Sequence, residues 1–347
     1  MRALLWSVVV FVSSAVGRQC TQPPPGALIV KPNTTVAGEF VDLGMALNAL
    51  PADNSSQVVF VYPGVYQGQV NISRQGPVKI MGYTRNTFDF AQNTVTLTHS
   101  ASLATAGSDD LTGTLRILPT SSNVSLYNLD VRNTFGIAEV NGQAIALSNY
   151  GNRVGVYGCR LYSYQDTLYT NQGNHVYLRS YIEGGVDFIF GRHSQAYFEG
   201  NTIASKGAGC VTASGREAND TGIYLFNQNT VIAARDAFAN ETGNVFLGRP
   251  WGGGLFQLSA RSIVESLTVV ADYARDLVDL EPGDARTDFI LFGEYNSFGL
   301  GVAHAQRANF STILTQAEAA RYSIASTVGS DWREWVDSEY LLPEFGL

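Results

Sequence analysis

Polar side chains recur at a nearly constant spacing in the middle of the chain. Asp166 and Asp187 lie 21 residues apart, and Gln143 and Gln165 lie 22 residues apart. If one structural repeat has this length, the two members of each pair occupy equivalent places on successive repeats. Stacked parallel strands lie ~4.8 Å apart, so the four side chains would converge on one patch. This spacing constrains the fold more than any other feature of the sequence.

The segments around these residues show the same repeat. Val154–Leu161 aligns with the segments that begin at Val176, Ala196 and Ile223, and the last interval is the longest because a loop precedes Ile223. Short β-branched or aromatic runs alternate here with Gly, Asn, Asp and Ser turns. Such a period predicts an all-β solenoid, a parallel β-helix. The alternatives fit less well, because a leucine-rich repeat needs a Leu/Asn pattern that is missing and a sandwich would not explain the nearly constant register.

Both ends of the solenoid need cover, because exposed strand edges invite aggregation. Residues Gly38–Leu50 have apolar side chains at helical spacing and predict a helix that caps the N-terminal end. Thr315 and Glu318 form a capping box that opens a short helix to about Tyr322. The aromatic tail beyond it is expected to pack back on the solenoid. We expect one domain over residues 18–347, with no linker.

Residues 1–17 have the pattern of a secretory signal peptide. Arg2 precedes an apolar run, and small residues follow at Ala15–Gly17; a buried N-terminal strand is the alternative. The net charge of −8 and a pI near 5.0 argue against a nucleic-acid partner. No later stretch is apolar enough to span a bilayer. A soluble, secreted, extracellular protein without a membrane partner is therefore expected.

Seven N-x-Ser/Thr sequons agree with secretion and predict a glycoprotein. They are Asn33, Asn54, Asn71, Asn123, Asn219, Asn240 and Asn309. At most two of the three cysteines can pair within the chain. A disulfide from Cys20 to Cys159 or to Cys210 is possible, and the sequence does not choose between them.

Asp166 and Asp187 are the first candidates for chemistry. Two adjacent carboxylates cannot both ionise freely, so one pKa rises and the other stays low. That difference lets one acid serve as nucleophile and the other as general acid and base, although paired aspartates in β-helix turns are more often structural. Four aromatic residues are expected to form a partly desolvated wall beside them. These are Tyr162, Tyr164, Phe188 and Phe190.

A cation is available in the segment Leu247–Trp251. Arg249 lies between Gly248 and Pro250, which hold the backbone stiffly and allow a close approach. A guanidinium there could bind a carboxylate with two parallel hydrogen bonds and keep it ionised. The simpler interpretation is a solvent-exposed arginine in a turn.

Four motifs together resemble the pectinesterase (pectin methylesterase) family, most closely its secreted, single-domain fungal type. The similarity extends over roughly Ala37 to Val336, and the motifs occur in the family's order and at its spacing. They are Gln143–Leu147, Tyr164–Leu168, Asp187–Gly191 and Leu247–Trp251.

The resemblance implies a right-handed parallel β-helix and an esterase that releases methanol from methyl-esterified polygalacturonate. By motif, Asp187 corresponds to the nucleophile and Asp166 to the acid that protonates methoxide and then activates water. Gln143 and Gln165 correspond to the oxyanion-stabilising carboxamides, and Arg249 to the residue that holds Asp187. Sugar-contacting positions correspond to Trp251, Phe190 and Val186, and Tyr162 is added from the aromatic wall.

The implied partner is pectin, the methyl-esterified homogalacturonan of cell walls, bound by a monomer. No cofactor or metal is expected, because the four histidines are too dispersed to form a ligand set. The chain departs from the family at Gly68, where a glutamate is common, and at Ala271–Leu277, where tryptophans are common and Tyr273 is the candidate replacement.

Three alternatives use the same fold. A polygalacturonase would also use paired carboxylates, but its Asn-Thr-Asp and Gly-His-Gly motifs are missing. A pectate lyase would need an acidic Ca²⁺ cluster. A non-catalytic polysaccharide-binding solenoid would be expected to carry substitutions at the aspartates or glutamines, which this chain retains.

Overall fold

The computed structural model describes residues 18–216, 220–238, 244–251, 261–265, 268–269, 291–299 and 311–343. The predicted signal peptide, the sequons Asn219, Asn240 and Asn309, and the segment around Tyr273 lie outside these residues. Within them, the chain winds into three sheets whose strands pair in parallel. This architecture is a parallel β-helix, as the repeat predicted.

The first sheet contains twelve of the described strands. In spatial order they are β2 (Glu39–Phe40), β1 (Leu28–Val30), β3 (Gln57–Val61), β6 (Val78–Gly82), β9 (Ser122–Tyr127), β12 (Asn152–Tyr157), β15 (Gln172–Leu178), β18 (His193–Glu199), β21 (Ile223–Asn227), β24 (Arg261–Glu265), β26 (Leu291–Tyr295) and β27 (Ser311–Ile313).

The other two sheets contain eight and seven of the described strands. The second consists of β25 (Thr268–Val269), β22 (Thr230–Ala233), β19 (Thr202–Ser205), β16 (Tyr181–Gly184), β13 (Arg160–Tyr162), β10 (Asp130–Asn133), β7 (Val95–His99) and β4 (Gly64–Gln67). The third consists of β23 (Val245–Pro250), β20 (Gly209–Ser214), β17 (Ile189–Gly191), β14 (Leu168–Thr170), β11 (Leu147–Asn149), β8 (Leu115–Ile117) and β5 (Val70–Ile72).

The helices in the described residues are short. They are α1 (Leu43–Asn48), α2 (Leu103–Ala106), α3 (Gln316–Ala319) and α4 (Ile324–Val328), with 3-10 turns at Phe90–Gln92, Asp110–Thr112, Trp332–Glu334 and Ser338–Tyr340.

Equivalent residues of successive coils stack inside the solenoid and form its core. Tyr177, Phe198 and Phe226 are direct register partners, and their rings stack at 4.7 and 4.4 Å. Burying such a row keeps each coil in register, because a slip of one residue would turn every side chain to the opposite face. The central part of this row on the first sheet consists of Val59, Ile80, Leu126, Val156, Tyr177, Phe198 and Phe226.

The observed register corrects the predicted alignment by one residue. Val176 pairs with Gly155 rather than with Val154, and Tyr197, rather than Ala196, is the next partner of Val176. The sequence comparison aligned valine with valine, whereas packing aligns the inward-facing Val156 with the inward-facing Tyr177. The repeat length was therefore predicted correctly, but the register was not.

Both predicted end structures are present, in shorter form. Helix α1 begins only at Leu43, because the Asp42 side chain accepts a hydrogen bond from the Met45 N–H and caps it. Its apolar residues Leu43 and Leu47 close the N-terminal end of the core. Helix α3 carries the predicted capping box of Thr315 and Glu318.

The C-terminal tail packs along the side of the solenoid. Trp332, Val336 and Tyr340 are buried against Tyr127 and Tyr157 on the outer face of the first sheet. The predicted return of the tail onto the solenoid is therefore confirmed. This packing covers the outside of the first sheet and leaves the outer face of the third sheet for other contacts.

Two further predictions concern cysteines and membranes. Cys20, Cys159 and Cys210 are all described, and no disulfide joins any two of them. Burial raises the pKa of the Cys159 thiol to about 12, so this side chain behaves as a small core residue. No helix in the described part of the chain is long and apolar enough to cross a bilayer.

Candidate active site

The two aspartates lie at equivalent positions of adjacent coils. Leu168 on β14 pairs with Ile189 on β17, and Gln165 forms a bridge with Val186. Asp166 and Asp187 are separated by the same number of residues as the members of each of these pairs, so they too are partners on adjacent coils. Asp166 and Asp187 both have left-handed backbone geometry, with φ of 63° and 50°. Aspartate tolerates this region better than most residues. The repeated turn places both carboxylates on the same side of the solenoid, about one strand spacing apart (~4.8 Å).

The glutamines align because one coil contains an extra residue. The N–H groups of Ala146 and Leu147 both donate to the carbonyl of Thr167, whereas the Ala144 N–H donates to that of Gln165. This bulge lengthens the local offset between the two coils by a single residue and places Gln143 beside Gln165. Gln143, Gln165 and Val186 therefore form one row next to the aspartates.

The two carboxamides have different surroundings. The Oε1 atom of Gln143 is buried and has no hydrogen-bond partner among the described residues. The Gln165 carboxamide packs over Gly142, where an added Cβ would lie 3.1 Å from Gln165 Oε1. Because the two ends of an amide are assigned from their hydrogen bonds, Gln143 can turn its N–H donors toward an incoming oxygen.

Arg249 binds Asp187 with both arms of its guanidinium. Nε donates to Oδ1 at 2.8 Å and Nη2 donates to Oδ2 at 2.5 Å. These hydrogen bonds raise the pKa of Arg249, and the paired geometry fixes the orientation of both Asp187 oxygens. The predicted contact between these two residues is present, and the alternative of a solvent-exposed turn arginine is wrong.

Small residues on the coil between Arg249 and Asp187 make this contact possible. Phe190, Ala213 and Arg249 are register partners on three successive coils of the third sheet. Arg249 must therefore reach back about two strand spacings, about 9.6 Å, to the coil of Asp187. The middle coil carries Ala213 and Gly215, whose small size leaves the Arg249 side chain free to cross. We call the segment from Ala213 to Gly215 the thin coil.

Asp166 differs from Asp187 in its electrostatic environment. It is 7% exposed, and burial is the main factor that raises its pKa well above the ordinary value. The charge of Asp187 and then that of Asp109 raise it further, and Arg249 opposes them. The arrangement therefore favours the protonated form of Asp166 and places it beside the carboxylate that Arg249 binds, which suits a pair made of one acid and one nucleophile.

Stacked aromatic rings lie beside the aspartates on the outer face of the third sheet. The rings of Tyr169 and Phe190 are parallel at 4.2 Å, and Trp251 meets Phe190 edge-on at 6.0 Å. Tyr150 contacts Tyr169 edge-on at 5.4 Å. We call Tyr150, Tyr169, Phe190 and Trp251 the aromatic floor. Aromatic faces of this kind suit the apolar face of a sugar ring.

Two residues of the predicted wall lie elsewhere. Phe188 is fully buried inside the solenoid, because it points inward from the corner. Tyr162 packs on the outer face of the second sheet, with Arg132 4.2 Å from its ring centroid and Tyr181 at 5.3 Å. The strand β13 that carries Tyr162 ends before the corner of Gln165. Its predicted place among the substrate-binding residues is therefore corrected.

Tyr164 also departs from the predicted wall. Its ring packs edge-on against Phe238 at 5.8 Å, and Gly185 and Gly207 provide the space around it. In contrast, Phe190, Val186 and Trp251 lie with the aspartates, as predicted.

Sequence reasoning missed three residues of the site. Tyr169 follows Asp166 by three residues, as Phe190 follows Asp187, so the repeat itself could have predicted it. Asp109 lies near Asp166, and burial raises its pKa. Arg192 lies over Trp251, 4.4 Å from the ring centroid. No motif or spacing indicates the last two.

The described residues provide no metal centre. None of their His, Cys, Asp and Glu side chains form a group of three or more that could hold a metal ion. His175 is fully buried, and burial lowers its pKa to about 4. Its ring bonds Thr170 and the carbonyl of Gly151, so it is a structural residue.

Comparison with known proteins agrees with the geometry. The pectinesterase family model matches residues 29–331. A pectinesterase of Aspergillus aculeatus is 37% identical over 346 residues, which cover 95% of this chain and 97% of that protein. A pectinesterase of Aspergillus niger is 32% identical over 348 residues, covering 98% of this chain and 99% of that protein.

Two solved structures extend this comparison. The pectin methylesterase from Aspergillus niger has a TM-score of 0.81 at 33% identity, covering 93% of this chain and 100% of that one. The pectin methylesterase from carrot has a TM-score of 0.76 at 21% identity, covering 94% and 100%; at that identity the likeness concerns the fold.

Proposed function

The chain belongs to the pectinesterase family and is a carboxylic ester hydrolase, and we propose that Asp187 and Asp166 together remove methyl esters from methyl-esterified polygalacturonate. The observation that carries this proposal is the two-armed contact of Arg249 with Asp187 beside the buried Asp166. An ionised carboxylate and a protonated one then lie on neighbouring coils.

In the first step, the Asp187 carboxylate attacks the ester carbonyl carbon. The carbonyl π bond breaks and its electrons move to the oxygen, which becomes an oxyanion. As the carbonyl re-forms, the bond to the methoxy group breaks, and Asp166 gives its proton to that oxygen. Methanol leaves, and an anhydride joins Asp187 to the galacturonate.

In the second step, water replaces Asp187. The water oxygen attacks the galacturonate carbonyl, and Asp166, now a carboxylate, takes a proton from the water. The anhydride bond breaks, which releases free galacturonate and restores the Asp187 carboxylate and the Asp166 proton. Ester and water are thus converted to acid and methanol without an external oxidant, reductant or metal.

Gln143 and Gln165 are proposed to stabilise the oxyanion of both steps. Their row lies next to the aspartates, and the site is partly shielded from water by its burial. Preorganised donors of this kind are typically worth about 3 kcal/mol each. On the other side, Phe190, Trp251 and Val186 are proposed to bind the sugar, with Tyr169 added from the structure.

We also propose that the protein acts outside the cell as a glycoprotein in pectin degradation or cell-wall modification. The N-terminal pattern supports secretion, and the sequon residues Asn33, Asn54 and Asn71 are exposed. The Aspergillus niger structure was obtained in deglycosylated form. A polymeric substrate embedded in a cell wall also requires an extracellular enzyme.

One assay separates this function from the alternatives that share the fold. Purified protein is incubated with highly methylated pectin, and methanol, reducing ends and unsaturated ends are measured together. The proposal predicts methanol alone. Reducing ends without methanol would indicate a polygalacturonase, unsaturated ends a lyase, and none of the three a binding solenoid; each of these results would contradict the proposal.

A further inference from the structure

A second contact crosses the thin coil beside the one made by Arg249. Continuation of the third-sheet register places Arg192, Gly215 and Trp251 at equivalent positions of three successive coils. A Cβ at Gly215 would lie 2.6 Å from Cε3 of Trp251. Because glycine leaves this space open, the Arg192 guanidinium reaches the indole and lies 4.4 Å from its centroid.

Arg192 is held over the aromatic floor by further contacts. Nη1 donates to the carbonyl of Gly215 at 3.5 Å, and the positive charge of Arg192 opposes the burial that raises the pKa of the neighbouring Tyr169 hydroxyl. A guanidinium has five N–H donors in a rigid plane. The hydrogen bond to Gly215 leaves other donors for a ligand that lies on the aromatic floor.

The charge of Arg192 has no fixed counter-ion among the described residues. Arg249 is paired with Asp187, and Arg116 at the other end of the third sheet is paired with Asp110. Among the described carboxylates, none forms an ion pair with Arg192. Asp109 attracts it from a distance without direct contact, and its buried Oδ1 atom has no hydrogen-bond partner in the described residues.

The location of Arg192 relative to the aspartates determines which sugar it can contact. Its guanidinium covers Trp251, which in turn packs against Phe190, and Phe190 follows Asp187 by three residues. Arg192 thus lies about one aromatic ring beyond the reacting position. A polymer lying on the floor would present the next sugar unit there, either as a methyl ester or as a free carboxylate.

We propose that Arg192 is a specificity residue whose guanidinium binds the free carboxylate of a galacturonate unit next to the methyl ester that reacts. The two oxygens of a planar carboxylate accept two parallel N–H bonds from a guanidinium, whereas a methyl ester is neutral and does not offer two equivalent charged oxygens. The proposal rests on the proposed function, because it assumes that this polymer lies on the aromatic floor. Asp109, by its negative charge, opposes the same interaction.

Binding of unesterified trigalacturonate, measured by calorimetry, tests this proposal independently of catalysis. We expect Arg192→Gln to raise the Kd about tenfold and Asp109→Asn to lower it. Methanol release should change in parallel: Arg192→Gln raises KM for sparsely methylated pectin and leaves KM for highly methylated pectin nearly unchanged. Arg192→Lys keeps the charge but loses the planar fork, so its Kd should lie between those of wild type and Arg192→Gln.

Arg321→Gln is the matched control, because it removes the same charge at an exposed position on the C-terminal tail. An unchanged Kd in Arg192→Gln, or an equal rise of KM on both pectins, would overturn the proposal and leave Arg192 a structural support for Trp251. Wild-type protein that binds trigalacturonate but releases no methanol would contradict the proposed function instead.

Discussion

Asp166 and Asp187 have the same backbone turn and the same place on their coils, yet their side chains meet different surroundings. Arg249 contacts both oxygens of Asp187, whereas at Asp166 burial and neighbouring negative charges outweigh the opposing charge of Arg249. The two acids therefore differ in two respects: burial is the main factor that raises the pKa of Asp166, and Asp187 is held by an arginine that belongs to a coil two turns away. Chemistry at the residue scale depends on which neighbour each carboxylate meets.

Asp166→Asn should remove activity and increase stability at neutral pH. The fold raises the pKa of Asp166 above its ordinary value of 3.8, so the contribution of Asp166 to stability is full below that pH and is lost as pH rises through the raised pKa. Asparagine does not titrate and avoids this loss. The unfolding midpoint of the variant should exceed that of wild type at pH 7, and the difference should shrink toward pH 3.5.

Asp187→Asn provides the matched comparison for stability. It removes the ionised partner of Arg249 and should lower the unfolding midpoint at pH 7, opposite in sign to Asp166→Asn. If both variants were stabilised equally, the assignment of the protonated role to Asp166 would be wrong.

At the scale of elements, the thin coil is the feature that assembles the site. Its residues Ala213 and Gly215 let two arginines cross it and connect the coils on either side, Arg249 to Asp187 and Arg192 to Trp251. Larger side chains there would separate residues that the register otherwise brings close. The small size of the thin coil is thus as necessary as the identity of the charged residues.

Ala213→Leu should lower kcat/KM about a hundredfold, since the added side chain displaces Arg249 from Asp187 and small misplacements at a reacting centre have effects of this size. The rate of methanol release measures it. Ala213→Gly is the control and should retain near-wild-type activity, because the crossing remains open. Wild-type activity in Ala213→Leu would show that Arg249 reaches Asp187 by another route.

The sequence predicted those parts of the site that follow from the repeat. The spacing of Asp166 and Asp187 predicted that they occupy equivalent positions on adjacent coils. The spacing of Gln143 and Gln165 made the same prediction, and it holds although their offset is longer by one residue, because a single bulge takes up the difference. Arg249 lies 62 residues beyond Asp187, so no period connects them; its role followed from the family resemblance.

Other features could not be derived from spacing. Tyr162 was assigned to the site because it is near Gln165 in sequence, but a solenoid corner lies between them. The alignment of Val154 with Val176 failed by one residue, because packing aligns inward-facing side chains rather than identical ones. The sequence analysis also missed Arg192 and Asp109. Arg192 contacts Trp251 across the thin coil, and Asp109 approaches Asp166 from a surface turn, so neither contact follows from the repeat.

At the scale of the whole molecule, one outer face of the solenoid packs against the C-terminal tail and another carries the candidate active site. The tail from α3 onward covers the outer face of the first sheet. The outer face of the third sheet carries the aromatic floor, and the two aspartates lie just before its strands β14 and β17. Each coil of a solenoid contacts mainly its neighbours. Damage to the tail should therefore reduce stability more than it changes the site.

Tyr340→Ala should destabilise the fold by about 3 to 5 kcal/mol, as expected for a large buried aromatic side chain. Tyr340 is 4% exposed and packs against Phe88 and Tyr157. Chemical denaturation measures the change, and kcat at room temperature should stay near that of wild type. Phe298→Ala, at a ring 54% exposed, is the control and should change stability by less than about 0.5 kcal/mol.

The rate of methanol release from highly methylated pectin by Asp187→Asn tests the central claim most directly. Asp236→Asn, which removes a carboxylate that pairs with Lys206 at the surface, serves as the control. The account predicts that Asp187→Asn loses at least about a thousandfold in kcat while it still folds and binds trigalacturonate, and that Asp236→Asn retains activity. A folded Asp187→Asn variant that releases methanol at a rate near that of wild type would contradict it.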